Sequence, residues 1–232
     1  TSPIIDFVCD SEFDFTIQEI ATGKPLEEVV GITILKNGTP HFTGKRPLIE
    51  NMDSLPWVTE VYKRDLVTSD YYNGYMLHPY MSLYTGRGCK SRCTFCLWPQ
   101  TIAGHKYRTR SVQNIAAELE WARDNFPEIK EFFFDDDTLT DDREHVEALA
   151  RELGKDWIRV NAIAPSAVMT EGTEEFFGVK LEKAKEVIAS GQTLQRNLET
   201  TDLAGTVIYL AGDASKFVTG QTIMVDGGTV LS

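Results

Sequence analysis

A chain of 232 residues with 42% hydrophobic and 10% aromatic residues can bury one large core or two small ones, which excludes a disordered chain. Its formal net charge of −12 argues against a general nucleic-acid or membrane-surface role, since either needs a basic face. No apolar run reaches the length needed to span a bilayer and the start, Thr1-Ser-Pro-Ile-Ile-Asp6, has no signal-peptide layout, so the expected location is cytoplasmic.

In chain order the pattern predicts a strand over Ile4–Val8 and a helix over Phe15–Ala21, ended by Gly23 and Lys24-Pro25. Two short strands, Gly31–Leu35 and Pro40–Thr43, flank Asn37-Gly38, a dipeptide that tolerates the positive φ of a tight hairpin. The segment Arg46–Leu77, with Pro47, Pro56 and many aromatics, reads as a linker rather than a packed element. A strand over Tyr80–Thr85 follows, then a cysteine-bearing loop, then a helix from an Ser111 cap to Asn125 with Ile115, Leu119, Ala122 and Phe126 at helical spacing. Lys130–Phe134 is a short apolar strand ending in Asp135-Asp136-Asp137, and Thr140 or Asp141 caps a helix running to Gly154. The remainder continues the alternation: a strand over Trp157–Ala164, a helix over Thr173–Ser190, a helix over Thr201–Gly212 and a strand over Gln221–Val225. Such alternation predicts an α/β fold, a mainly parallel sheet with helices on both faces.

The densest chemistry lies in Cys89-Lys-Ser-Arg-Cys93-Thr-Phe-Cys96, where three thiols on one short loop can converge on a single metal centre. Three ligands leave one coordination position open for chemistry. Clustered cysteines fit metal binding in a reducing compartment better than a disulfide framework, and the remaining Cys9, in an apolar run, reads as a small buried residue. From Tyr71 through Ala117 there is no Asp or Glu, while Arg87, Lys90, Arg92, Lys106, Arg108 and Arg110 fall in that window and would favour thiolates. A zinc knuckle completed by His105 or His78, or a solvated basic loop, are the alternatives. The second candidate site is Asp135, Asp136 and Asp137, because side chains at the C-terminal ends of parallel strands face the ligand crevice. If the strand persisted, Asp135 and Asp137 would point one way and Asp136 the other. A solvated acidic turn is the competing reading. His41, His78, His105 and His145 show no paired metal-ligand spacing.

The run from Tyr84 to Pro99 resembles the cluster loop of cobalamin-binding radical SAM enzymes, and the text from Ile4 to Asp142 resembles the hopanoid-biosynthesis-associated members. That resemblance implies a 4Fe-4S cluster on Cys89, Cys93 and Cys96, S-adenosyl-L-methionine on its open iron, Phe95 near the adenine, and acidic groups among Asp135, Asp136 and Asp137 toward the methionyl amine. Cobalamin belongs to the parent family, but the histidine-containing loop that ligates cobalt is lacking here. Beyond residue 144, Arg159-Val-Asn-Ala-Ile-Ala-Pro165, the stretch Asp202–Ser215 and Thr219–Gly228 resemble the C-terminal third of a short-chain dehydrogenase/reductase. In that family the loop matching Pro165–Thr170 hydrogen-bonds the nicotinamide carboxamide, which makes Thr170 a cofactor-contact candidate, with Ser166 in place of the usual Gly. The family's Gly-rich turn and Tyr-x-x-x-Lys pair have no counterpart, so NAD(P) binding is not expected.

The division implied is a cobalamin-domain tail over 1–45, a linker over 46–77, the start of a radical SAM barrel with the cluster loop over 78–144 and, joined to it, the C-terminal part of a short-chain dehydrogenase fold, a partial Rossmann-like sheet, over 145–232. The expected function is that of a radical SAM iron-sulfur protein acting on a small molecule, with parts of the barrel missing. The alternatives are a short-chain dehydrogenase/reductase fragment and an inactive chimeric fold. Strands deprived of neighbours predict either one rebuilt sheet, with Phe132–Phe134 and Ile158–Ala164 adjacent and parallel and joined by the helix Asp141–Gly154, or self-association through open sheet edges.

Overall fold

In the computed structural model, which describes residues 5–74, 76–92 and 96–230, the chain forms two compact units, Thr1–Val146 and Glu147–Ser232. In the first unit β1 (Phe7–Cys9) runs antiparallel to β2 (Ile32–Lys36), which turns through Asn37 and Gly38 into β3 (Thr39–Phe42). Asn37 and Gly38 have φ of 53° and 75°, the mirror-image turn that matches the strands' twist. Val29, Ile32 and Ile34 form a small core under this sheet, with Phe7, Cys9, Ile20 and Leu26 against it, and α1 (Asp14–Ala21) contributes Ile20. Burial raises the Cys9 thiol pKa, as for a packed small residue.

The predicted linker contains a helix, α2 (Val58–Asp65). Pro47 and Pro56 both precede it, so neither interrupts Val58, Val61 and Tyr62 at helical spacing. It packs beside β4 (Tyr80–Leu83) and α3 (Val112–Asn125), where Met81, Ala122 and Phe126 form a second core with Tyr62. The α3 N-terminus is as the sequence predicts, with the Ser111 hydroxyl accepting from Asn114 N–H at 3.2 Å. Two-residue strands β5 (Gly86–Arg87) and β6 (Arg108–Thr109) pair antiparallel, and β7 (Glu131–Phe134) pairs parallel with β4. Helix α4 (Arg143–Leu153) follows.

In the second unit β8 (Ala162–Pro165) is parallel to β11 (Thr222–Val225), and β9 (Val168–Met169) is parallel to β10 (Leu198–Glu199). The strand expected over Trp157–Ala164 is shorter because Trp157 sits in the left-handed region at φ 60°, which ends a helical turn and delays extension. The single helix expected over Thr173–Ser190 is two, α5 (Glu171–Phe177) and α6 (Leu181–Ser190), broken where Gly178 takes φ 49°. α7 (Thr200–Ala211) packs near β8, and Arg159 donates to the Leu210 carbonyl at 2.8 Å, a cation at the helix C-terminus.

The fold is thus mixed α/β, but the expected mainly parallel sheet is corrected: among the described residues there are one three-stranded and four two-stranded sheets. Among the described residues neither a partial barrel nor the rebuilt joint sheet is present, since β4 and β7 pair only with each other and β8 pairs with β11. Strands of four residues or fewer at these positions are too short for broad pairing. No helix among the described residues is long and apolar enough to cross a membrane.

Candidate functional site

The C-terminal ends of β4 and β7 open onto a cleft of about 640 Å³ in the first unit, lined by Glu12, Phe13, Asp14, Tyr84, Arg87, Cys89, Cys96, Trp98, Pro99, Ile102, Ala103 and Asp135–Asp137. The fold therefore gathers Cys89, Cys96 and the acidic triplet about one space. Cys93 and Phe95 lie outside the described residues.

The triplet does not alternate as a strand would, because β7 ends at Phe134 and the chain turns. Asp136 accepts the backbone N–H of Thr85 and of Gly86, each at 2.8 Å, and also the Thr85 hydroxyl. Asp137 accepts Gly88 N–H at 2.9 Å. Asp135 continues the ladder with its own N–H, donated to Leu83 O at 2.9 Å, and its carboxylate is within reach of the Tyr84 hydroxyl. Burial pushes the Asp136 carboxyl up, against the pull of its three donors. Behind it lie Tyr107, whose hydroxyl is 3.4 Å from that of Thr85, and His145, whose pKa burial lowers.

The basic window predicted to favour thiolates is occupied otherwise. Arg108 makes a bidentate pair with Glu12 at 2.8 and 2.9 Å and donates to the carbonyls of Ile49 and Ala103. Arg87 pairs with Asp14 at 2.8 Å, Arg110 with Glu118 at 2.6 Å and Lys106 with Glu50 at 2.6 Å. These cations are neutralised by carboxylates, three of them remote in sequence and the fourth, Glu118, just past the acid-free window, and are not spare charge for an anionic cluster. Among the described residues no three His, Cys, Asp or Glu side chains come together as a metal site, the zinc alternative through His78 or His105 included.

In the second unit the C-terminal ends of β8 and β11 are tied by Gln192, a residue the sequence reading did not single out. It is 5% exposed, donates Nε2–H to the Ser166 hydroxyl at 2.9 Å, and leaves no room for a Cβ at Gly227, which would lie 2.7 Å from Gln192 Oε1. Leu194 N–H donates to Gly227 O at 2.9 Å, closing the same junction. The only sequence signal was Gly191, read as a helix stop. Asp226 lies beyond β11, its carboxyl held low by the N–H groups of Val230 and Gly228. A cleft of about 480 Å³ runs along Gln192–Leu194, Arg196–Leu198, Asp202 and Met224–Gly228. Thr170 ends the Pro165–Thr170 loop as the N-cap of α5, its hydroxyl accepting from Thr173 N–H at 3.1 Å.

Residues 143–230 match the family described as Enoyl-(Acyl carrier protein) reductase. The 3-oxoacyl-(acyl-carrier-protein) reductase FabG of Staphylococcus aureus is 40% identical over 79 residues, 34% of this chain and 30% of that protein. An uncharacterized methyltransferase of Pyrococcus horikoshii, PH0819, is 27% identical over 220 residues, 87% of this chain and 46% of that protein. The cytidylyl-2-hydroxyethylphosphonate methyltransferase of Streptomyces wedmorensis is 42% identical over 78 residues, 32% of this chain and 14% of that protein. The chain spans less than half the length of each of these relatives. The matched segment, 143–230, is short-chain dehydrogenase/reductase-like.

Two expectations are corrected by these findings. The radical SAM reading, with its 4Fe-4S cluster, S-adenosyl-L-methionine and parent-family cobalamin, gives way to the reductase match and to the absence of a metal-holding group among the described residues. The exclusion of NAD(P) is likewise overturned, because the family matched over 143–230 and FabG are reductases, and such reduction draws on a hydride donor of the nicotinamide or flavin class.

The second unit's residues fit such a donor unevenly. A pyrophosphate is held at a helix N-terminus whose N–H groups are free of acids. Here the first turns of α5, α6 and α7 carry Glu171 and Glu174, Glu182, and Asp202, the last in a reciprocal capping box with Glu199. Those termini repel phosphate. The uncharged loop Pro165–Thr170 at the ends of β8 and β9 is compatible with the nicotinamide end alone.

Proposed function

We propose that residues 143–230 serve as the nicotinamide-end segment of an NAD(P)-dependent short-chain reductase. The observation that carries this reading is the family match over that segment. In it the loop Pro165–Thr170 meets the carboxamide-bearing ring, Thr170 fixes the loop's end by capping α5, and Gln192 fixes its start through Ser166. The acidic helix N-termini add nothing to phosphate binding. Saturation-transfer NMR with NADPH and with reduced nicotinamide mononucleotide tests this. Both should receive saturation at the nicotinamide protons, with affinities within about threefold of each other, because one good phosphate contact alone is worth about 1.5–3 kcal/mol. Absence of transfer to either compound would sink the reading.

A second reading attaches to the first unit. An alignment covering 87% of the chain to a protein named as a methyltransferase must include most of that unit, since the second unit begins only at Glu147. On this reading the cleft beside Asp135, Cys89, Cys96 and Trp98 holds a small substrate of methyl transfer. Label from methyl-labelled donors should then pass to a small acceptor, and Asp135→Ala should suppress it while leaving nicotinamide binding unchanged.

A further inference from the structure

Beyond Leu83 and Phe134 the β4–β7 ladder does not stop; it changes kind. On the β7 side carboxylates replace backbone carbonyls as acceptors and take the N–H groups of Thr85 and Gly86 (Asp136), Gly88 (Asp137) and Lys90 (Asp141, 3.1 Å) in chain order, while Cys89 N–H donates to the Gly104 carbonyl at 3.2 Å. Lys90 Nζ returns a bond to Asp141 O at 2.9 Å, and the Thr138 hydroxyl reaches Gly88 O. On its other side the segment lies against β6 and its approach, so closely that a Cβ at Gly88 would stand 2.2 Å from Lys106 O. The residue between Gly88 and Lys90 is Cys89, 8% exposed at the cleft wall.

We propose that Asp136, Asp137 and Asp141 are positioning residues, a carboxylate latch that fixes the segment Thr85–Lys90 and so sets the exposure of the Cys89 thiol in the cleft. Asp135 is then the member of the triplet whose carboxylate is not tied to the backbone. The latch works through acceptor atoms, so its members are separable: an Asn at 136 keeps an oxygen for Thr85 and Gly86, an Ala keeps none.

The test is the alkylation rate of each cysteine by iodoacetamide at fixed pH, resolved by peptide mass spectrometry. Asp136→Ala should speed Cys89 by about tenfold or more, and Asp136→Asn should stay within about threefold of the unsubstituted protein, with Cys9 unchanged as the internal control. An unchanged Cys89 rate in Asp136→Ala, an equal rise in Asp136→Asn, or a parallel rise at Cys9 would each overturn the latch. Should Asp136→Ala fail to fold, amide exchange of the unsubstituted protein decides: Gly86 and Gly88 N–H should be protected to within about tenfold of the β4 amides, and exchange at the rate of an open loop overturns the proposal.

Discussion

Asp202 lies at the surface, yet its carboxyl is held down to about 2, first by the Arg196 guanidinium at 2.6 and 2.7 Å and then by Glu199 N–H at 2.9 Å. An unfolded Asp titrates near about 3.9. The folded value is the lower one, so the group's contribution to stability is fully present above about 3.9 and is lost as pH falls through about 2. An NMR titration should place the Asp202 midpoint near 2, and in Arg196→Gln the midpoint should rise toward the unfolded value of about 3.9. An unmoved midpoint would assign the depression to the helix N-terminus instead. Residues of this local kind were legible in the sequence: the Ser111 cap and the Asn37-Gly38 turn need only near neighbours, and both are where the pattern puts them. Gln192 was not legible, because its partners Ser166 and Gly227 become neighbours only when two strand ends meet.

Glu118 on α3 is the clearest case of one element holding another. It is fully buried, accepts Thr59 N–H at 3.1 Å and the Thr59 hydroxyl at 2.9 Å from α2, and pairs with Arg110 at 2.6 Å. Removing one partner strands a buried guanidinium, so Glu118→Leu should lower stability by about 3–5 kcal/mol, and Glu118→Gln by less because it keeps an acceptor for Thr59. Urea unfolding curves check this, and a Glu118→Leu midpoint equal to the parent's would refute it. The same pairing explains why the acid-free window from Tyr71 to Ala117 misled. A run of cations without acids inside it invites an external anion, but its counter-ions are Glu12, Asp14 and Glu50, brought in by folding, and Glu118, one residue past the window. Periodicity likewise located α3 and β7 within a residue or two, whereas the break at Gly178 depended on one backbone angle that spacing does not encode.

At the scale of the molecule the two units differ in how much apolar surface they hide. Among the described residues the hydrophobic clusters around Ile32 and around Met81 belong to the first unit, whereas the buried apolar residues of the second are Leu149, Ala150, Leu153 and Leu198. In the second unit Val179, Phe217, Trp157 and Ile208 are 104, 91, 83 and 71% exposed. Burial stabilises by roughly 25 cal/mol per Å² of apolar area, so the second unit has less to set against its conformational entropy. Among the described residues its strands form two-stranded pairs, as β4 and β7 do, so strand number does not separate the units and buried apolar area does. The second unit should therefore open first. Hydrogen exchange in rising urea should release the amides of Ala162 and Ser166, bonded to Gln221 and Val225, before those of Lys130 and Asp135, bonded to Pro79 and Leu83. Release of both pairs at one urea concentration would mean that the units unfold as one, and earlier release of Lys130 and Asp135 would mean that buried apolar area does not set the order.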